Sequence, residues 1–439
     1  MGNSEKFRRL GGTVWLLGGL IALVSAASAS AATLATLHAF CSFTNCNDGR
    51  NPSGGLLRDA SGNLYGTAEG EGAHGDVSNG GTVFELVPNG TTGKYKDYVL
   101  HAFCAQTNCA DGNQPDESGV IMDVDGNLYG VTFFGGKFNH GGVFKLTHGT
   151  NGWGLKVLHN FCGTTGCPDG DGPGTGLSYA GQASGALWDK VSPLFGVTVN
   201  GGSHNHGTVF ELTQNGTHWI ETVVHSFDTS ADPAGLLVTT AGDIYGTAVT
   251  GGKYGGGLMY TLANRTWKET VLHNFCNVTN CTDGRFPEGH LVMDGSGDLF
   301  GVTAFGGTNT TVCNQSTGCG VAFEYAAGGT FSVLYNFCSL AACSDGTGPD
   351  GGLTLDGSGT LFGVTLVGGA ANMGTVYNLK PNGGSWAESV LYSFCQLANC
   401  KDGAEPTDQL ILDSSGDIFG DAYSGGNSTG PGTVFELKP

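Results

Sequence analysis

The sequence predicts an all-β protein, specifically a seven-bladed β-propeller with about four antiparallel strands in each blade. Three observations predict it: seven internal repeats, glycine-rich turns at fixed places within them, and chain ends that each hold part of one repeat. Successive repeats are 48 to 66 residues apart, which suits a four-stranded sheet for each repeat. Each repeat opens with a Leu-His-x-Phe-like tetrad, ending at Phe40, Phe103, Phe161, Phe227, Phe275, Phe337 and Phe394.

The second repeat shows the strand pattern most clearly. Residues 119–123 and 128–132 read as two short strands, and an Asp- and Gly-containing turn joins them. After a variable loop, residues 142–146 predict a third strand and residues 154–161 a fourth. No long stretch has a helical period, so every repeat is expected to form an antiparallel sheet.

The two ends of the chain favour a closed ring over an open solenoid. After the first thirty or so residues the chain begins with a lone fourth strand, at 34–40, and it ends after a third strand, at 432–437. The last sheet is therefore completed only if the N-terminal strand joins it. Such closure pairs both sheet edges, whereas a solenoid needs atypical capping repeats.

Strand alternation assigns the connections to two faces. Fourth-to-first and second-to-third connections share one face, which carries the long and variable loops. The opposite face carries short turns of the Asp-x-x-Gly and Asn-Gly types. Ligand binding or catalysis is expected on the first face, or in the central channel that opens onto it.

Residues 1–31 have the three parts of an export signal. Lys6, Arg8 and Arg9 precede an apolar run at 14–24, and small residues follow as far as Ala31. A membrane anchor is the alternative, but the apolar run is shorter than the roughly 20 residues that span a bilayer. We therefore expect a signal peptide at 1–31, a single propeller domain at 32–439, and an exported monomer without a membrane span. It would be extracellular, periplasmic or at the cell surface.

The composition excludes some partners. The chain has 18 Lys and Arg against 38 Asp and Glu, a net charge of −20. Such a surface disfavours nucleic acids and anionic membranes. The 79 glycines recur within repeats that also hold Val, Leu, Phe and Tyr, which indicates a turn-rich β protein rather than a disordered chain.

Twelve of the fourteen cysteines form Cys-x4-Cys pairs directly after the tetrads, and the fourth repeat lacks both members. This joint absence predicts bonding within each loop, because bonds between neighbouring repeats would leave unpaired thiols beside the fourth. An even count in an exported chain favours disulfides over the alternative of metal-binding thiolates. The expected bonds are Cys41–Cys46, Cys104–Cys109, Cys162–Cys167, Cys276–Cys281, Cys313–Cys319, Cys338–Cys343 and Cys395–Cys400.

Each cysteine loop continues into an Asp-Gly pair, for which two hypotheses stand. The aspartate either caps its own turn or belongs to a ring of carboxylates that binds calcium. No other cofactor is expected. The aspartates weighed as metal ligands are Asp48, Asp111, Asp283, Asp345 and Asp402.

Histidines provide two further sets of candidates. The tetrad histidines resemble a metal-binding series, but Tyr335 and Tyr392 occupy the same position, which favours a packing role. His140, His204 and His206 lie in second-to-third loops, where the repeats differ most. His204 and His206 are candidate metal ligands, and all three are candidates for a ligand-binding face.

The repeat resembles the GloVer tandem-repeat family of bacterial exported proteins. The similarity rests on segments such as Gly62-Asn-Leu-Tyr-Gly-Thr67 with Gly80-Gly-Thr-Val-Phe-Glu-Leu86, and Gly126-Asn-Leu-Tyr-Gly-Val-Thr132 with Gly141-Gly-Val-Phe-Lys-Leu146. The resemblance covers nearly all of the chain after residue 31. It implies export and a β-repeat architecture, and it supplies no activity.

These observations predict a non-enzymatic binding module that recognises an extracellular glycan or protein through its disulfide-loop face. An extracellular enzyme that acts on polysaccharide at the channel mouth is the second hypothesis, and a structural envelope protein is the third. Propellers serve both binding and catalysis, so the fold does not choose between them. A cluster of non-recurring acids that converges at the channel would favour the enzyme.

Overall fold

The computed structural model describes residues 32–75, 79–90, 94–115, 119–309, 313, 318–427 and 430–439. The predicted signal peptide, residues 1–31, lies outside the described residues. Within them there are β-strands, turns and short 3-10 helices, and no helix has the length and apolarity of a membrane span. The 3-10 helices are Thr44–Cys46, Thr107–Cys109, Gln182–Ser184, Thr279–Cys281, Ala341–Cys343 and Ala398–Cys400.

The strands follow the predicted repeat closely. In each repeat the first strand is innermost and the fourth is outermost, and neighbouring strands are antiparallel. The first repeat contains β2 (Arg50–Pro52), β3 (Leu57–Arg58), β4 (Leu64–Gly70), β5 (Thr82–Asn89) and β6 (Lys94–Ala102), and the second contains β7 (Ile121–Met122), β8 (Leu128–Thr132), β9 (Gly142–Gly149) and β10 (Gly152–Asn160). The third repeat contains β11 (Asp171–Tyr179), β12 (Leu194–Asn200), β13 (Thr208–Asn215) and β14 (His218–Ser226). The fourth contains β15 (Pro233–Val238), β16 (Ile244–Ala248), β17 (Leu258–Ala263) and β18 (Lys268–Asn274).

The last three repeats include the predicted junction of the chain ends. The fifth repeat contains β19 (Arg285–Met293), β20 (Leu299–Phe305), β21 (Val321–Tyr325) and β22 (Phe331–Asn336). The sixth contains β23 (Thr347–Leu355), β24 (Leu361–Val367), β25 (Thr375–Asn382) and β26 (Ser385–Ser393). The last sheet contains β27 (Ala404–Leu412), β28 (Ile418–Ser424), β29 (Thr433–Lys438) and the N-terminal strand β1 (Thr33–Ala39). β1 pairs antiparallel with β29, with Thr33 opposite Lys438 and Ala39 opposite Thr433. The N-terminal strand thus completes the last sheet.

The sheet count differs from the predicted seven separate blades. The described residues form six hydrogen-bonded sheets, one of which has eight strands. In that sheet the fifth and sixth repeats are joined by a single parallel bridge between His290 and Gly352. The two inner strands meet this closely because both Gly351 and Gly352 lack a side chain; a Cβ atom on Gly352 would lie 2.5 Å from the His290 carbonyl oxygen. The arrangement is all-β and propeller-like.

The core is built from an aromatic pair that recurs in every repeat, with tyrosine as the second member at Tyr260 and Tyr377. The tetrad phenylalanine is buried and meets the aromatic ring of the third strand edge to face; Phe40 and Phe84, for example, have ring centroids 5.2 Å apart. The glycine of the second strand lies under that ring, since a Cβ atom on Gly66 would come within 2.5 Å of Phe84. The buried clusters join residues of neighbouring repeats, so the core lies between the sheets.

Candidate functional site

Each disulfide closes a small loop on the face predicted to carry the long loops. All fourteen cysteines are bonded, in the seven pairs expected from the sequence. Because the sulfur atoms of a disulfide are not thiolates, these cysteines offer no metal ligands. Several loops expose an apolar residue two positions after the first cysteine, including Leu340 at 53% and Leu397 at 55% exposure.

The Asp-Gly aspartates lie behind these loops, buried against the tetrad. Asp48 Oδ2 lies 3.2 Å from the Nε2 atom of His38, and the carboxylate accepts hydrogen bonds from the Ser42 and Phe43 amides. Burial acts to raise the pKa of Asp48, but these bonds outweigh it, so the pKa lies below its usual value. The same contact joins His101 to Asp111, His159 to Asp169, His273 to Asp283, Tyr335 to Asp345 and Tyr392 to Asp402.

This geometry supports the turn-capping hypothesis and makes it testable at Asp345. Asp345→Ala removes the acceptor of the Ser339 and Leu340 amides and of the Tyr335 hydroxyl. We expect it to lower the free energy of unfolding by roughly 2–3 kcal/mol, because buried donors lose their partners. Asp228→Ala, at a carboxylate that is 88% exposed, should change it by less than about 0.5 kcal/mol. Urea unfolding with calcium and with chelator gives the comparison; a calcium-dependent stabilisation that Asp345→Ala removes would favour the calcium ring instead.

The loop histidines are spread over the surface, and the one group that includes any of them among the described residues joins His140 to Cys162 and Cys167, which are bonded to each other. His204 Nε2 lies 3.3 Å from Asp228 Oδ1 on the exposed surface, and His140 Nδ1 lies 2.8 Å from Asp171 Oδ1. Neither His204 nor His206 belongs to any group of three or more close metal-ligating side chains among the described residues. Their assignment as ligand-face residues remains a prediction.

A cavity of about 1010 Å³ occupies the centre of the propeller-like ring. It is lined by innermost segments from all seven repeats, including Ser53, Val120, Thr175 and Ala234. Its lining combines glycine backbone with apolar side chains, such as Ile121 and Leu366, and with polar side chains. At the end nearer the disulfide loops, Glu69 accepts a hydrogen bond from the Tyr423 hydroxyl and Glu405 one from the Ser424 hydroxyl.

Carboxyl groups from four successive repeats converge in this channel: Asp232, Glu288, Asp350 and Asp408. Burial and the nearby Asp350 and Asp232 carboxyls raise the pKa of Glu288 to about 8. Burial and Asp408 raise the pKa of Asp350 to about 6. The Glu288 and Asp350 carboxyls influence each other's ionisation, so they titrate as a pair.

The backbone around Asp408 is held in an unusual conformation. Asp408 has φ 66°, in the left-handed region that non-glycine residues rarely adopt, and its Oδ2 atom accepts a hydrogen bond of 2.6 Å from the Gly54 amide. Gly351 packs directly on it, since a Cβ atom there would lie 2.1 Å from the Asp408 Cα atom. This contact fixes Asp408 at the centre of the ring, between the sixth and first repeats.

Two further polar groups accompany the carboxyls. Asp421 is 2% exposed, and burial followed by the neighbouring Asp408 raises its pKa well above the usual value. His290 lies over Gly235, and burial lowers the pKa of its ring. The site therefore collects acids and one neutral imidazole on one side of the channel.

Sequence reasoning missed these residues, although a signal was present. Most repeats have a proline shortly after the Asp-Gly pair, such as Pro52 or Pro287. The three residues after this proline are glycine-rich in several repeats, as in Ser53-Gly-Gly55 and Gly174-Thr-Gly176. In the fifth and last repeats they are instead Glu288-Gly-His290 and Thr407-Asp-Gln409. Asp421 likewise stands where the other repeats have Val or Thr. The departures from the repeat, rather than its recurring residues, mark the channel site.

The fold and the channel together define a disulfide-stabilised β-repeat protein with an acidic central cavity. The pattern of the Gloeobacter/Verrucomicrobia repeat matches residues 22–189, 175–339 and 309–439, and the chain belongs to that family. No curated protein matches the sequence.

Several solved structures share the overall fold at low identity. A streptogramin B lyase is 12% identical with a TM-score of 0.53, covering 93% of this chain and 97% of its own. A catalytically inactive variant of virginiamycin B lyase from Staphylococcus aureus with quinupristin is 13% identical with a TM-score of 0.52, covering 93% and 99%. A copper-bound fungal alcohol oxidase of the AA5 family is 15% identical with a TM-score of 0.51, covering 93% and 77%. These likenesses show the fold alone.

Proposed function

We propose that this chain is an exported, seven-bladed repeat propeller that binds a positively charged ligand in its central channel. The observation that carries the proposal is the convergence of Asp232, Glu288, Asp350 and Asp408 on one cavity. Among the described lining residues the basic side chains are Arg58 and His290, and Arg58 lies 3.5 Å from Asp413. The cavity wall thus has an excess of acidic groups, which favours a cationic ligand.

The count of seven blades is part of the proposal. The eight-stranded sheet consists of two antiparallel four-stranded units held by one parallel bridge, at His290 and Gly352. Counting these units as separate blades gives one blade for each tetrad. The seven disulfides support export, because such bonds persist in oxidising compartments.

An oligosaccharide of glucosamine is a suitable probe because it combines ammonium groups with the hydroxyls that carboxylates bind. We expect saturable binding by calorimetry at pH 7, where the pKa of Asp350, about 6, leaves that carboxyl mostly ionised, and at least tenfold weaker binding of the N-acetylated oligosaccharide of the same length. Glu288→Gln with Asp350→Asn should also weaken binding at least tenfold, and added salt should weaken it further.

Leu340→Ser is the matched control, since Leu340 lies on an exposed disulfide loop and outside the cavity lining. It should leave binding unchanged. Loss of binding in this variant, with binding retained in the double variant, would place the ligand on the disulfide-loop face instead. Absence of saturable binding by amino sugars and by oligolysine would favour the structural envelope hypothesis.

One feature favours the enzyme hypothesis: Glu288 and Asp350 are neighbours in a confined channel, where burial raises the pKa of Glu288 to about 8 and that of Asp350 to about 6. A protonated carboxyl beside an ionised one supplies a general acid and a general base. Glycosidase carboxyls stand roughly 5–9.5 Å apart, so with neighbouring Glu288 and Asp350 a third carboxyl such as Asp232 or Asp408 would have to act as well. Polysaccharide cleavage lost in Glu288→Gln would support this second function.

A further inference from the structure

The outermost strands of neighbouring repeats meet at a second polar site, remote from the channel. In each fourth strand, one residue stands four positions before the tetrad His or Tyr of its own repeat. The side chain of that residue faces the tetrad His or Tyr of the preceding repeat. His273, for example, stacks on Phe331 with ring centroids 3.8 Å apart, and His225 Nε2 lies 3.4 Å from Glu269 Oε2. The residues at this position are Leu34, Asp97, Leu155, Glu221, Glu269, Phe331 and Glu388.

At the junction of the first and last repeats this position completes a cluster of three metal-ligating side chains. His38 Nε2 lies 3.2 Å from Asp48 Oδ2 and 3.9 Å from Asp97 Oδ2. The three ligand atoms all lie within 4.8 Å of one another, and the side chains of His38, Asp48 and Asp97 are 9%, 0% and 5% exposed. An imidazole and two carboxylates are thus brought together in a buried space between two sheets.

Asp97 has no adequate protein partner. Both of its carboxylate oxygens are buried without a hydrogen bond of normal geometry; the Tyr98 amide is at most a weak donor to them, and the His38 Nε2 atom lies 3.9 Å from Oδ2. A buried carboxylate that is neither paired nor coordinated is costly, and native proteins seldom retain one without a reason. The orphaned oxygens point to a group that the protein itself does not supply.

We propose that His38, Asp48 and Asp97 bind one divalent transition-metal cation of the zinc type. One imidazole nitrogen and two carboxylate oxygens form a ligand set that zinc accepts, with water as the fourth ligand. Metal–ligand bonds of about 2.0–2.1 Å give ligand atoms about 3.3 Å apart in a tetrahedron. His38 Nε2 lies 3.2 Å from Asp48 Oδ2 and 3.9 Å from Asp97 Oδ2, so Asp97 has to move by less than about 1 Å to complete the site. Binding requires a lone pair on His38 Nε2, so the metal-bound imidazole carries its proton on Nδ1.

The loop behind Asp48 already holds the ligand in position. The Ser42 amide and hydroxyl bond Asp48 Oδ2 at 2.9 and 3.0 Å, and the Phe43 amide bonds Oδ1 at 3.2 Å. Such bonds from outside the coordination sphere orient a ligating carboxylate. The disulfide loop would therefore serve the metal site as well as the local fold.

An imidazole and two carboxyl groups also meet at the junction of the second and third repeats. His159 Nε2 lies 3.1 Å from Asp169 Oδ2, and Glu221 completes a group within 4.8 Å, with its Oε1 atom unpaired. This second site is more exposed, and we expect it to bind more weakly.

Other junctions provide internal controls because each lacks at least one ligand. The site of His101 and Asp111 has Leu155 at the third position, and the site of His225 lacks the cysteine loop and its aspartate. Two metal ions per chain are therefore expected.

Zinc titration of the mature, oxidised protein after chelator dialysis tests the proposal. Calorimetry should give two sites for the wild type and one each for Asp97→Leu and Glu221→Leu, which introduce the residue that another repeat carries. His101→Ala and His204→Ala should retain both sites. Cobalt(II) should give the absorption of a tetrahedral N/O site that Asp97→Leu reduces.

A thermal measurement separates metal binding from a packing role. In chelator, Asp97→Leu should raise the melting temperature, because an unpaired buried carboxylate is replaced by an apolar group. With zinc, only the wild type should gain stability at this site. Asp97→Asn serves as a second variant if leucine disturbs the strand. Equal zinc stoichiometry in wild type and variants, or no zinc-dependent gain in wild type, overturns the proposal.

Discussion

Deletion of residues 32–40 should abolish cooperative unfolding of this protein. β1 provides the fourth strand of the last sheet by pairing with β29, and Phe40 is fully buried against Phe84. Removing a buried phenylalanine alone costs about 3–5 kcal/mol, and the deletion also exposes the edge of β29. The loss is comparable with the total stability of a typical domain. Urea unfolding followed by tryptophan fluorescence should show a broad or absent transition.

A circular permutant is the matched control, because it restores the strand in another chain position. Thr33 lies opposite Lys438, just as Ser385 lies opposite Asn382 in the hairpin of the sixth repeat. A chain that begins at Cys41 and continues from Lys438 through Gly-Gly into residues 33–40 reproduces that two-residue loop and should fold. Its free energy of unfolding should lie within about 2 kcal/mol of wild type, since only loop closure changes. A permutant as disordered as the deletion would show that the pairing of the ends does not hold the ring closed.

The repeat architecture could be predicted because its determinants are local and recur. Glycines, the tetrad phenylalanine and paired cysteines stand at fixed spacings, so each repeat independently indicates the same strands and loop disulfides. The pairing of β1 with β29 followed from the incomplete ends of the chain. The joining of the fifth and sixth repeats into one sheet could not be predicted, because it depends on the close approach of two inner strands at Gly351 and Gly352.

The channel and junction sites were harder to predict for a different reason. Glu288, Asp350 and Asp408 are far apart in sequence, and they meet only because the inner strands of successive repeats surround one axis. Asp97 lies in an alternating strand, where an acid ordinarily faces solvent, and it faces His38 only once the ring closes. Sequence periodicity gives the position of a residue within its repeat, but not the residue opposite it in the next one.

The stability of the wild type should fall between pH 5 and pH 8 relative to that of the double variant Glu288→Gln with Asp350→Asn. The folded-state pKa values of Glu288 and Asp350 are raised to about 8 and about 6, chiefly by burial. As pH rises above the ordinary carboxyl pKa of about 4, the unfolded chain releases these protons before the folded chain does. The contribution of these two carboxyls to the free energy of unfolding is complete below about pH 4, and it is lost as the pH rises through 6 and then 8.

Comparing the wild type with the double variant separates the effect of Glu288 and Asp350 from that of other titrating groups. Asp48 and Asp111 have lowered pKa values, so their contribution is lost only in stronger acid. The pKa of His290 is also lowered, chiefly by burial, so it adds stability above about pH 6.5 and opposes the trend. Because His290, Asp232 and Asp408 are present in both proteins, their effects largely cancel in the difference.

The amides of the double variant are neutral at every pH and nearly the same size as the carboxyls. At pH 8 the variant should therefore be more stable than wild type by roughly 1–3 kcal/mol, a range kept small because both side chains are only partly buried. At pH 5 the difference should be much smaller. Urea midpoints across this range measure it, and a difference independent of pH would mean that Glu288 and Asp350 are both ionised throughout. In that case the channel would carry its full negative charge at neutral pH, which would strengthen cation binding and remove the acid required for catalysis.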